Sequence, residues 1–215
     1  MNQRTRIKIC GVSQIADVEA AAEAGADAVG FVFHPGSPRF VTAERAAELA
    51  RALPPFVTPV GLFVNAPRAD IDRVLAAIPT LVLQFHGDES PDACNVFCRP
   101  YLRAARMAPG FDLLDFARRF SEAQGLLLDA HVEAFGGSGK VFDWSLVPRG
   151  VPHRLVLSGG LHAGNVGSGI RELRPWAVDV SSGVESSRGV KDAAAIHAFC
   201  DAVREADLRI EASVS

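Results

Sequence analysis
The sequence predicts an α/β fold: a (β/α)8 TIM barrel forming a single domain over residues 1–215. Two observations predict it. Short apolar runs alternate with amphipathic ones eight times without a linker, and alternating βα units imply a parallel sheet. The apolar runs also end in Gly and polar residues, and barrels of this kind build their sites at the C-terminal ends of their strands. Periodicity alone does not close the sheet, so a doubly wound sheet remains open on that ground.

Each unit can be read in order. Ile7–Cys10 is a strand, and the Ala-rich stretch Ile15–Glu23 is a helix that Gly25 ends. Ala28–Phe33 is an apolar run suited to a buried parallel strand. Thr42 caps a helix over Ala43–Ala52. The strand Val60–Val64 and helix Arg68–Ala77 follow, then the strand Leu81–Phe85 and a short helix near Pro91–Phe97. Tyr101–Met107 is a weakly marked strand, Leu113–Phe120 a helix and Gly125–Asp129 a strand. A Gly-rich loop and a stub of helix at Trp144–Leu146 lead to the strand Arg154–Leu157 and the helix Ala163–Leu173. Ala177–Val180 is the eighth strand, and a last helix runs from about Asp192 to Ala206. The tail from about Leu208 to Ser215 reads as a loose end.

Composition narrows the function. Apolar residues make up 48% of the chain, enough for a large core, and the formal charge of −3 with scattered Lys and Arg gives no nucleic-acid footprint. No apolar run approaches the ~18 residues that span a bilayer. The polar start Met1–Arg6 lacks the apolar stretch of a signal peptide, so the expectation is a cytoplasmic protein. The cysteines at 10, 94, 98 and 200 suit neither a disulfide scaffold nor a zinc site, and no metal is expected.

The strand ends carry the chemistry. Ser158-Gly159-Gly160 follows the seventh strand and Ser181-Ser182-Gly183 the eighth. Loops there are the usual phosphate site of the barrel, because bare Gly turns let backbone N–H groups approach an anion. Gly159, Gly160, Ser181, Ser182 and Gly183 are therefore the expected phosphate site. Gly136–Lys140 lacks P-loop spacing and reads as a lid. Cys10 ends the first strand and Asp129 the sixth. A thiolate can take a proton and a carboxylic acid can give one, so the two form a candidate base and acid. Burial of the apolar run Leu126–Leu128 and a nearby phosphate both disfavour the charged carboxylate, which suits a proton donor.

These residues lie in motifs that resemble the phosphoribosylanthranilate isomerase family of tryptophan biosynthesis. The resemblance is carried by Lys8-Ile9-Cys10-Gly11, Gly30–Phe33, Ser37-Pro38-Arg39-Phe40, Gln84–Glu89, Leu127-Leu128-Asp129, Gly136–Lys140 with Phe142-Asp143-Trp144, Ser158-Gly159-Gly160 and Asp179–Glu185, in order over about residues 6–206. It implies a cofactor-independent barrel enzyme that opens N-(5-phosphoribosyl)anthranilate to the 1-deoxyribulose phosphate by an Amadori rearrangement. It implies Asp129 as general acid on the ring oxygen and Cys10 as general base at C2. It also implies Arg39 on the anthranilate carboxylate and Asp179 on a ribose hydroxyl. His86 stands at the mouth as a substrate-binding residue without an assigned chemical role. The partner expected is the small-molecule substrate, with no nucleic acid and no membrane, and the protein is a monomer or homodimer. His131 where a Tyr is common, and Phe85 where a Leu is usual, depart from the family pattern. A related barrel isomerase of the histidine-pathway or bispecific kind, and a non-catalytic phosphate-binding barrel, remain as alternatives.

Overall fold
A computed structural model describes residues 4–130 and 142–212. Eight parallel strands close into a barrel in sequence order: β1 Arg6–Cys10, β2 Ala28–Val32, β3 Thr58–Phe63, β4 Val82–Phe85, β5 Tyr101–Met107, β6 Gly125–Ala130, β7 Arg154–Leu157 and β8 Ala177–Val180. The seam between first and last strands pairs Lys8 with Asp179 and Ile9 with Val180. Around the barrel lie α1 Ile15–Glu23, α2 Ala43–Arg51, α3 Arg68–Ala77, α4 Pro91–Asn95, α5 Leu113–Arg119, α6 Val166–Leu173 and α7 Ala193–Ala212. Among the described residues only the 3₁₀ turn Trp144–Leu146 stands between β6 and β7. The Gly136–Lys140 segment, read from the sequence as a lid, and His131 lie outside the described residues. Among the described residues no helix is long and apolar enough to cross a membrane.

Two apolar clusters fix which way each strand faces. Ile7, Ile9, Leu83, Phe85, Leu126, Leu128, Leu157, Val178 and Val180 belong to the large shell of core. Leu127, Val156, Ala104 and Ala177 form a small separate cluster. Side chains alternate along a strand. The shell residues thus point outward to the helices, and the alternate positions point into the barrel. By that parity Lys8 and Cys10, Gln84 and His86, Asp129, Ser158, and Asp179 all stand on the inner face.

The tail reading needs correction, because α7 runs through Leu208 to Ala212. Val203, Ala206 and Ile210 are buried at helical spacing, so the apolar stripe continues past residue 206. The Asp207 carboxylate accepts from the Thr5 backbone N–H and from Thr5 Oγ1, both at 2.7 Å, and ties the helix to the entrance of β1. A further element escaped the periodicity: the two-stranded ribbon of β9 Glu185–Ser187 and β10 Val190–Lys191, too short to register as alternation.

Candidate active site
The mouth is built around a buried thiol. Cys10 is buried and pairs in register with Gly30 of β2. A Cβ at Gly30 would lie 2.8 Å from Cys10 Sγ and 3.1 Å from Lys8 Cε, so only a glycine leaves room for both side chains. Burial pushes the Cys10 thiol above its usual range, and the neighbouring Lys8 ammonium opposes that shift. Burial would lower Lys8, but Asp179 and Cys10 outweigh it and hold its ammonium at about 12. Lys8 Nζ donates to Asp179 Oδ1 at 2.7 Å, and Asp179 Oδ2 lies 3.5 Å from Ser158 Oγ.

On the other side of the barrel the expected acid has a partner. Asp129 Oδ2 lies 3.0 Å from His86 Nε2, and Gln84 Nε2 lies 3.2 Å from His86 Nδ1. Asp129 Oδ1 accepts from the Ala130 N–H at 3.0 Å. The turn that carries His86 is held from outside the barrel. Arg103 on the outer face of β5 donates to the carbonyls of Phe85 at 2.9 Å and Gly87 at 3.0 Å, and its guanidinium sits 4.8 Å from the Phe120 ring centroid. Glu89 closes the same turn by accepting from the N–H groups of Asn65 at 2.7 Å and Gly87 at 2.9 Å.

Arg39 is already paired within the protein. Its Nε and Nη2 bind Glu185 in a buried bidentate pair at 2.6 and 2.8 Å, so the side edge of the guanidinium expected for a substrate carboxylate is already taken. Lys191 Nζ joins from β10, 2.8 Å from Glu185 Oε1 and 2.8 Å from the Ser181 carbonyl. Burial would raise Glu185, but Arg39, Lys191 and the Gly189 N–H hold its carboxyl down at about 2 against an ordinary 4.5. A depressed carboxylate adds stability that is complete above its unfolded value and fades as pH falls through its folded value. The difference in urea midpoint between wild type and Glu185→Gln should therefore be largest above pH 4.5 and shrink toward about pH 2. A constant gap across that window would show that Glu185 titrates normally.

The two Gly turns meet. Gly159 and Gly160 have φ of 79° and 63°, a region that favours glycine. A Cβ at Gly159 would come within 2.6 Å of the Ala130 nitrogen, and one at Gly183 would overlap the Leu161 carbonyl oxygen. The loops after β7 and β8 are thus pressed against each other. Among the described residues no carbonyl accepts from the N–H groups of Gly159, Gly160, Ser182 or Gly183, which leaves four donors in one region.

The expected residues therefore collect at one end of the barrel: Cys10, Asp129, His86 and Asp179 on its inner face, the Gly turns beside them, and Arg39 reaching in on Glu185. Lys8, Gln84, Glu185 and Lys191 had no role assigned from the sequence. Lys8 and Gln84 carry a readable signal, a polar side chain at the inward position of a strand buried on both faces.

Known proteins resemble this chain over nearly its whole length. The family model described as N-(5'phosphoribosyl)anthranilate (PRA) isomerase matches residues 7–202. An N-(5'-phosphoribosyl)anthranilate isomerase of Methylibium petroleiphilum is 68% identical over 98% of this chain and 99% of its own. That of Leptothrix cholodnii is 63% identical over 98% of this chain and 96% of its own. The solved phosphoribosyl anthranilate isomerase of Thermotoga maritima superposes with a TM-score of 0.84 at 40% identity, covering 94% of this chain and 99% of that one. A solved phosphoribosyl anthranilate isomerase in complex with reduced 1-(o-carboxyphenylamino)-1-deoxyribulose 5-phosphate matches with a TM-score of 0.81 at 38% identity, over 94% of this chain and 99% of that one. With the fold, the strand-end motifs and these relatives in agreement, the chain belongs to the N-(5'-phosphoribosyl)anthranilate isomerase family.

Proposed function
We propose that the chain rearranges N-(5'-phosphoribosyl)anthranilate to 1-(2-carboxyphenylamino)-1-deoxyribulose 5-phosphate with Asp129 as general acid and Cys10 as general base. Asp129 gives its proton to the furanose ring oxygen. The C1–O electron pair leaves onto that oxygen while the anilino nitrogen lone pair forms the C=N bond of a protonated Schiff base. Cys10, as thiolate, then takes the proton from C2, and the C2–H electrons form the C1=C2 bond of an enolamine. Transfer of the enol proton from the C2 oxygen to C1 gives the ketone. Nothing is oxidised or reduced outside the substrate, so no cofactor enters the scheme.

The observation that carries the reading is the inner-face placement of both residues at the strand ends, with a cation beside the base and a hydrogen-bond partner on the acid. Asp179, held by Lys8, offers Oδ2 to a ribose hydroxyl. Arg39 offers the anthranilate carboxylate the end-on edge of its guanidinium, which Glu185 leaves open. Phosphate is bound by the N–H groups of Gly159, Gly160, Ser182 and Gly183, with Ser181 held in place by Lys191. The purified protein should abolish the fluorescence of the anthranilate adduct in a catalytic manner. Stoichiometric binding of the reduced product analogue without turnover would instead support the phosphate-binding barrel. Turnover of the histidine-pathway aminoaldose alone would support the related isomerase.

The phosphate assignment has its own test. Gly183→Val must push the Leu161 carbonyl away and part the two loops. Affinity for inorganic phosphate and for the product analogue should fall together, by about 10-fold or more for one lost hydrogen bond to a charged group. Unchanged phosphate titrations by calorimetry would move the site elsewhere.

A further inference from the structure
We propose that Gln84 is a positioning residue that controls proton loading of the His86–Asp129 pair, by presenting either its amide nitrogen or its amide oxygen to His86 Nδ1. This rests on the reading of Asp129 as the acid. Gln84 is fully buried on the inner face of β4, two residues before His86, and its amide nitrogen sits 3.2 Å from His86 Nδ1. Its other polar atom, Oε1, is buried with no hydrogen-bond partner among the described residues. Such an orphan is uncommon, and a buried acceptor left unmade costs more than the average bond contributes.

The inventory of donors makes the two orientations unequal. When the amide nitrogen donates to Nδ1, that ring atom carries no proton. The ring's single proton is then on Nε2 and points at Asp129 Oδ2, and with Oδ1 accepting from the Ala130 N–H both carboxyl oxygens face donors, which favours the carboxylate. This is a discharged pair, unable to act as a donor. A loaded pair holds one proton more, either as Asp129–OH donating to Nε2 or as imidazolium facing carboxylate. Both forms place an N–H on Nδ1, and an amide N–H cannot accept it. Half a turn about the Gln84 Cγ–Cδ bond brings Oε1 to Nδ1 and gives the orphan oxygen its missing donor.

The cycle balances. The loaded pair passes one proton from Asp129 to the ring oxygen and keeps one on the imidazole. Cys10 receives one proton from C2, and the enol proton moves within the substrate. Return of one proton to solvent from Cys10 and uptake of one by the pair restore the start. The charged groups around the pair are Arg106 of β5, whose register partner is Asp129 and which donates to the His86 carbonyl at 3.3 Å, and Asp88, 3.1 Å from Arg106 Nη1. Lys8, Cys10 and Asp179 stand across the mouth.

Two variants and one spectrum test this. As a carboxylate, the side chain of Gln84→Glu can only accept from Nδ1–H, so it should keep the pair loaded to higher pH and move the basic limb of the kcat/KM profile up by about one pH unit or more. Gln84→Met can neither donate nor accept. With no acceptor for Nδ1–H the loaded pair loses its partner, so kcat should fall by ~10-fold while KM for the substrate stays near wild type. In ¹⁵N spectra of the wild-type protein, His86 should carry its proton on Nε2 at high pH and gain one on Nδ1 as the pH falls, a readout that needs no variant to fold. Coincident basic limbs in wild type and Gln84→Glu, or an Nδ1 proton on His86 at every pH, would overturn the assignment. Normal turnover by Asp129→Asn would instead sink the underlying reading of the acid. A slow Asp129→Asn beside unmoved Gln84 profiles would sink only the role of Gln84.

Discussion
Asp129→Asn should bind the reduced product analogue almost as well as wild type and turn over substrate more slowly by ~10²–10⁴-fold, the range for losing a general acid. The side chain keeps its shape, and its oxygen can still accept from the Ala130 N–H or face His86. What it loses is a proton it can release onto the ring oxygen. The defect therefore belongs to ring opening. Substrate supplied with the sugar already open bypasses that step, and the defect should shrink with it. A variant equally slow on closed and open substrate would assign Asp129 to some later step.

Cys10→Ser should lower turnover by ~10²-fold or more on both forms of the substrate, because proton removal from C2 follows ring opening in either case. Binding of the analogue should survive, since the donors proposed for phosphate are backbone N–H groups of the loops after β7 and β8, which the substitution leaves in place. The buried thiol is pushed up by desolvation and pulled back by Lys8, so the thiolate depends on that ammonium. Lys8→Met removes the pull and leaves Asp179 in the barrel without its cation. The acid limb of kcat/KM should move to higher pH, and iodoacetamide should alkylate Cys10 more slowly at a given pH. Near-normal turnover by Cys10→Ser would end the assignment of the base.

Much of this site was legible in the sequence for one physical reason. Strands buried on both faces tolerate few polar side chains, so Cys10, Asp129 and Asp179 stand out where an apolar run ends. The paired Gly turns are readable because a backbone that must take φ near 79° and 63°, or lie against another loop, admits little else. What stayed hidden are interactions between distant elements. Lys8 meets Asp179 across 171 positions of sequence, and Arg39 meets Glu185 across 146, separations that no local pattern encodes. The Arg39–Glu185 pair was hidden because Glu185 sits on a ribbon too short to produce a period. The end of α7 was misjudged for a similar reason. Its last turns are held by Ile210 in the core and by Asp207 on Thr5, contacts made at the opposite end of the chain.

The seam between β1 and β8 bears on how the chain is made. A ribosome releases Lys8 at the outset, and Asp179 only after most of the polypeptide has been synthesised. Until then Lys8 lacks the carboxylate it pairs with in the closed barrel. Ring closure is a contact between the most distant strands of the chain, the kind whose loop entropy makes it slow to form. The pair that tunes the thiol is thus the same pair that latches the ring. Nascent or truncated chains that have not closed should therefore be chemically silent, and the appearance of isomerase turnover during refolding should report the moment of closure rather than the earlier gain of helix.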